Sequence, residues 1–178
     1  MREVRSRVAV LVEDGYQELE LWYPYYRLIE AGFQPVLVGP EVRSYKGKHG
    51  YEASAMISVS EAESYSFQGL IVPGGNAHDH LRRYPAIVEM VKSIFDQGKL
   101  LASISHGGSL LISANAVKGR KVTSFFSMEV DLINAGARYL DREVVVDDNL
   151  ITSCRPDDLP AFMREVLVFL RAHRSKLD

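Results

Sequence analysis

Short apolar runs alternate along this chain with stretches in which apolar residues recur every three or four positions. The run Arg7-Val8-Ala9-Val10-Leu11-Val12 predicts a strand buried on both faces, since no polar residue interrupts it after Arg7. Beyond a Glu13-Asp14-Gly15 turn, Gln17 to Ala31 predicts a helix with Leu21, Tyr25 and Leu28 on its apolar face and Gly32 at its end. Pro24 lies inside this stretch and is expected to kink it or to start a new helical segment. Pro35 to Gly39 predicts a second strand. From Glu41 to Ser60 there is no helical period; Lys46 to Gly50 reads as a hairpin tip or loop, and Tyr51 to Ile57 as a short strand. Gly69 to Val72 is a strand running into the turn Pro73-Gly74-Gly75, after which Asp79 reads as part of a polar loop with His78 and His80.

The alternation continues to the C-terminus. Tyr84 to Gln97 predicts a helix closed by Gly98, Lys99 to Ala102 a strand, and Ser109 to Ala116 a helix. Lys121-Val122-Thr123 is another strand, and Met128 to Ala135 a helix ending at Gly136. Glu143 to Ser153 reads as a hairpin turning at Asp147-Asp148-Asn149. Asp157 to His173 is an amphipathic helix with Asp157 or Asp158 near its cap. Strands alternating with helices predict an α/β fold, a doubly wound, mostly parallel sheet sandwiched by helices. The 178 residues fit one domain, with no repeat, low-complexity segment or linker to divide residues 1–178.

Composition narrows the function classes. A formal net charge of −2, from 21 basic and 23 acidic residues, argues against a nucleic-acid partner held by bulk charge. Cys154 is the single cysteine, so no intrachain disulfide forms, which fits a reducing compartment. Met1 to Arg7 is short and charged, and Val8 to Val12 is too brief for a signal peptide or a membrane span. A cytoplasmic protein without a membrane partner is the expectation.

The candidate chemistry sits at strand ends, where open α/β sheets place their sites. Ser103-Ile104-Ser105-His106-Gly107 puts a reactive residue between small ones at two-residue spacing, between strand and helix, the layout of a nucleophile elbow. Such a turn lifts Ser105 to a helix N-terminus, where backbone N–H groups favour negative charge. The Gly74-Gly75 pair lets backbone N–H groups approach a ligand, and Gly75 N–H with His106 N–H makes a candidate oxyanion hole beside Gly107. His78, Asp79 and His80 suggest a metal at first sight, but alternate loop residues point apart and no second ligand cluster accompanies them, so no metal is expected. The aromatic cluster Tyr16, Trp22, Tyr23, Tyr25 and Tyr26 fits core or subunit interface better than a substrate box.

In order along the chain, these features resemble the ThiJ/PfpI family, closest to its intracellular protease I branch, from Val8 to Leu170. The carriers include Glu18-Leu19-Glu20-Leu21-Trp22-Tyr23-Pro24, Gly47-Lys48-His49-Gly50, Val72-Pro73-Gly74-Gly75, Ala102-Ser103-Ile104-Ser105-His106-Gly107 and Arg155-Pro156-Asp157-Asp158-Leu159-Pro160. The resemblance implies a flavodoxin-like fold akin to class I glutamine amidotransferase domains, and cysteine-dependent, cofactor-free peptidase, glyoxalase or deglycase activity, with chaperone-like stress roles in some members. It also implies dimers, assembling to hexamers in the protease branch, and a small-molecule or peptide substrate. By position, Ser105 stands at the nucleophile and His106 is the histidine that follows it. Glu20 is the glutamate facing the elbow, and Asp79 of a neighbouring copy is the acid that orients the histidine. The Gly47 to Gly50 element implies an oligomer contact. An amidotransferase subunit would need a downstream histidine and glutamate on one strand, which this chain lacks.

The chain departs from that pattern at three points. Ser105 replaces the family's cysteine, Gly108 its usual proline, and Asp79 its usual glutamate; three joint changes favour natural divergence over an engineered cysteine-to-serine change. The first has the largest chemical consequence. A thiol near pKa 8.5 needs little help to ionise, whereas a helix dipole worth up to ~2 kcal/mol moves a hydroxyl by only about 1.5 in pKa. Serine must hand its proton to a base in the transition state, and His106 is the nearest. Glu20, as an ordinary carboxylate, is a weak base for a hydroxyl and more suited to hydrogen-bonding the nucleophile. Two functions follow from this: a hydrolase-like enzyme using Ser105, or a family member without catalysis that keeps the pocket for ligand sensing or chaperoning.

Overall fold

The computed structural model describes residues 6–62 and 67–173. The expectation for the charged N-terminus therefore lies, from Met1 to Arg5, outside the described residues. Strands β1 (Arg7–Leu11), β2 (Gln34–Gly39), β6 (Phe67–Val72), β7 (Leu100–Ile104) and β11 (Leu150–Ser153) form the centre of a seven-stranded sheet. Short β5 (Ile57–Ser58) closes one edge and β10 (Val144–Asp147) the other, in the order β10-β11-β7-β6-β1-β2-β5. All pairings are parallel except β10 with β11, the hairpin predicted from Glu143 to Ser153. The sheet is the predicted doubly wound, flavodoxin-like one. Its central strands are buried on both faces, which is why they appear in the sequence as unbroken apolar runs.

The helices cover both faces. They are α1 (Glu18–Glu30), α2 (Ala77–Leu81), α3 (Pro85–Asp96), α4 (Gly108–Ser113), α5 (Glu129–Asn134) and α6 (Leu159–Ala172). Among the described residues no helix is long and apolar enough to cross a membrane.

Several elements differ from their sequence expectation. The Tyr51 to Ile57 strand is split. β4 (Glu52–Ser54) pairs antiparallel with β3 (Ser44–Lys46) in a separate hairpin, and only Ile57-Ser58 joins the main sheet. The expected strand at Lys121 is β8 (Lys121–Val122), which pairs with β9 (Arg138–Tyr139) outside the main sheet. Pro24 does not split the helix: α1 runs through it from Glu18 to Glu30, with Pro24 buried. The buried stripe of α1 is Glu20, Leu21, Pro24 and Leu28, and Tyr25 lies half-buried beside Trp22 at a centroid distance of 5.3 Å. His78, Asp79 and His80 are not in a loop but in α2, anchored by buried Ala77 and Leu81 one turn apart. Asp158 occupies the N-cap position of α6 without a side-chain cap bond.

Candidate active site

The sheet order reverses between β1 and β6, and the carboxyl ends of β1, β6 and β7 meet there. Each contributes one part of the site. Ser105 follows β7 directly with φ +57°, a left-handed conformation that L-residues avoid. Such strain costs on the order of 1–3 kcal/mol and persists only where the surroundings enforce it. They do so here by close approach. A Cβ on Gly107 would lie 2.7 Å from the Val72 carbonyl and 2.8 Å from Ser103 Oγ, so the turn packs directly onto β6 and β7. The Ser124 hydroxyl donates to the Ser105 carbonyl and holds the strained residue from the opposite side. Ser103 Oγ itself is buried without a hydrogen-bond partner.

The helix behind the elbow is shorter than its sequence pattern predicts. Ser105–Gly107 is a single 3-10 turn, and α4 adds only the six residues Gly108–Ser113. Macrodipole support for negative charge on Ser105 is correspondingly small. Proton transfer carries more of the burden than the sequence implied.

Three groups crowd Ser105. Gly74, after β6, is so close that a Cβ there would meet Ser105 Cβ at 2.8 Å and the His106 amide nitrogen at 3.1 Å. Gly74 N–H donates to Glu20 Oε2 at 2.7 Å, and Gly75 forms an isolated bridge with Tyr16 that ties the glycine turn to the end of β1. Glu20 is 1% exposed and hydrogen-bonds the Ser105 hydroxyl. Burial pushes its carboxyl up to about 7, against the opposing pull of Gly74 N–H, Ser105 and the Lys48 charge. Glu20 is therefore not the ordinary carboxylate its position on a charged helix suggested, and near neutrality it takes or gives a proton readily.

His106 Nδ1 lies 3.3 Å from Ser105 Oγ, and its Nε2 lies 3.3 Å from Ser127 Oγ. Burial and the Lys48 charge hold the imidazole below its usual range, so it is neutral at pH 7 and able to accept a proton. Its ring is packed between two others, His78 at 5.4 Å in stacked orientation and Phe125 at 4.8 Å. His78 Nδ1 is 2.6 Å from Ser109 Oγ, and burial with the neighbouring His106 pushes His78 down to about 4. Sequence inspection missed Ser127 and Phe125 as neighbours of the elbow. They follow β8 in a segment with no motif, and only the fold brings them there.

Asp79 is placed differently from the other site residues. It sits on the exposed side of α2, its carboxylate is paired with Arg83, and that guanidinium holds it below the usual carboxylate range. Within one chain it does not contact His106. Among the described residues, no three His, Cys, Asp or Glu side chains converge at metal-binding range. A cleft of about 450 Å³ opens beyond His78, between α2, α4 and α5, with Arg82 and Asp131 on its rim.

Residues 6–168 match the DJ-1/PfpI family. The chain is 39% identical to Deglycase PfpI of Pyrococcus furiosus over 93% of its own length and 99% of that protein's. It is 40% identical to Protein/nucleic acid deglycase 2 of Escherichia coli K12, over 94% of this chain and 99% of that one. Among solved structures it is similar to a two-domain protein from Anabaena variabilis with a DJ-1/ThiJ/PfpI-like and a ferritin-like domain. The TM-score is 0.92 at 38% identity, over 94% of this chain and 48% of that one, so this chain spans about half of the two-domain protein.

Proposed function

The chain belongs to the DJ-1/PfpI family, and from that premise we propose that it is a single-domain, hydrolase-like enzyme with Ser105 as nucleophile. Its substrate class is a small carbonyl adduct, amide or peptide, which accords with the deglycase names of its relatives. The observation that carries this reading is the 3.3 Å approach of Ser105 Oγ to the Nδ1 of a neutral His106, at a residue held strained at φ +57°.

In the proposed reaction Ser105 Oγ attacks the substrate's carbonyl carbon. Its proton passes to His106 Nδ1, and the carbonyl oxygen takes up the negative charge beside the N–H groups of Gly75 and His106. Glu20 holds the hydroxyl by hydrogen bond and, with a pKa of about 7, serves as the proton reserve of the pocket. With an amide or peptide, His106 then gives its proton to the departing amine as the bond between carbonyl carbon and nitrogen breaks, and water releases the acyl group from Oγ by the reverse path. If copies assemble as the family resemblance implies, Asp79 of a neighbour lies in the position of the orienting acid. The test is turnover of a panel of peptide amides and carbonyl adducts of blocked lysine. Hydrolysis by the wild type that disappears in Ser105→Ala supports the reading; equal rates in the two proteins refute it.

A further inference from the structure

The tip of the β3–β4 hairpin and the Gly74-Gly75 turn flank the same short segment, residues 15–17 between β1 and α1. On the hairpin side, Gly15 N–H donates to the Lys46 carbonyl at 2.7 Å and Lys48 N–H to the Tyr16 carbonyl at 2.8 Å. On the other side, Gln17 N–H donates to the Gly74 carbonyl at 3.2 Å and Asn76 N–H to the Gly15 carbonyl at 2.7 Å. The tip is also seated on α1. A Cβ on Gly47 would lie 2.8 Å from Glu18 Cδ, and the two Glu18 oxygens take His49 N–H at 2.6 Å and His49 Nδ1 at 2.8 Å. A fixed backbone therefore carries Lys48 to within one segment of the glycine turn whose N–H is assigned to the oxyanion.

Its ammonium is uncommitted. Glu18 is spent on His49, Asp14 on Arg43 and the Lys46 N–H, and Asp79 on Arg83; among the described residues Lys48 takes part in no ion pair. The residue is exposed, and its charge is felt at both Glu20 and His106, the two groups that face Ser105 Oγ. With His106 and His78 neutral at pH 7, Lys48 supplies a standing positive charge at the mouth of the pocket. A carboxylate on the substrate meets an unpaired ammonium there, and a cationic group is repelled.

We propose that Lys48 is a specificity-determining residue that reads a carboxylate on the acyl side of the substrate, so that the preferred substrates are amides or carbonyl adducts bearing an acidic group a few bonds from the reacting carbon. The inference rests on Ser105 as nucleophile for turnover, but recognition of the carboxylate is measurable in a protein that cannot react. Lys48 points no apolar surface into the core, so replacing its exposed side chain leaves the backbone bonds of the tip in place.

The experiment compares the mono-4-nitroanilides of malonic and succinic acid with their primary-amide counterparts, in wild type, Lys48→Met and Lys48→Arg. Attack by Ser105 releases 4-nitroaniline, read by absorbance, and water then frees the acid from Oγ. Wild type is expected to favour the carboxylate about ten-fold in kcat/KM, chiefly through KM and less at high salt. Lys48→Met should bring the ratio to about one, and Lys48→Arg, which keeps the charge, should restore it. Calorimetric binding of the same compounds to Ser105→Ala, with and without Lys48→Met, should show the same preference and its loss. A ratio near one in the wild type, or a preference that survives Lys48→Met, overturns the role of Lys48. If the wild type turns over none of these anilides, the binding arm decides alone: a preference that needs Lys48 upholds the inference, and its absence overturns it. The nucleophile reading is judged separately, by Ser105→Ala on the wider panel above.

Discussion

Replacing Glu20 by glutamine tests the electrostatics of the site through stability alone. Burial raises this carboxyl from 4.5 to about 7. In the unfolded chain the same group titrates at its ordinary value. Between those two pH values the folded protein therefore holds a proton that the unfolded protein has released, and stability falls as pH rises. Below 4.5 both states are protonated and the folded state bears no penalty from this group. Above about 7 both are ionised, and the folded state bears all of it. The gap of roughly 2.5 in pKa corresponds to about 3 kcal/mol. Glutamine has the same shape, offers Gly74 N–H an oxygen, and does not titrate. The stability of Glu20→Gln relative to wild type should thus rise by about 3 kcal/mol from acid to mildly alkaline pH, over any constant offset from altered hydrogen bonds. Urea unfolding of both proteins at about pH 4, 6 and 8 measures it, and groups common to both cancel in the difference. A difference that stays flat across this range would refute the assignment of Glu20 as a desolvated acid.

Three further outcomes follow from single contacts. Gly74→Ala forces a methyl to within 2.6 Å of Glu20 Oε2 and 2.8 Å of Ser105 Cβ; it should cost about 1–3 kcal/mol by thermal unfolding and abolish Ser105 labelling. Asp147→Ala removes the acceptor of Arg120 Nε at 3.0 Å and of Lys121 N–H at 2.8 Å. Denaturant midpoints should show a loss of about 1–3 kcal/mol, because a half-buried guanidinium loses its partner. Ser105→Cys puts a thiol on the elbow, whereas burial pushes the Cys154 thiol up. Iodoacetamide followed by peptide mass mapping should modify position 105 at least about ten-fold faster than Cys154 at neutral pH, and equal rates would contradict the elbow's electrostatics.

The parts of this fold that were legible in the sequence are those where one short segment decides the outcome. Arg7 to Leu11 and Leu100 to Ile104 are buried on both faces, so their strands show as apolar runs. The elbow shows in its small residues because Gly107 has no room for a side chain. What long-range packing decides was not legible. The family resemblance put Glu20 at the elbow but left it an ordinary carboxylate, and only burial beside Gly74 and Ser105 makes it an acid near neutrality. α2 lacks a periodic apolar pattern and is a helix because Ala77 and Leu81 meet the core. Pro24 does not break α1 because its ring fills a buried position that an isolated peptide would lack. Ser127 reaches His106 from a turn 21 residues away, with no local pattern to announce it.

The central claim is that Ser105 is a nucleophile activated by His106. Intact-mass analysis after exposure to a fluorophosphonate tests it most directly. The account predicts one covalent adduct per chain, mapped to Ser105, absent in Ser105→Ala and strongly slowed in His106→Ala. No adduct on wild-type Ser105, or an adduct whose rate is indifferent to His106→Ala, would contradict it.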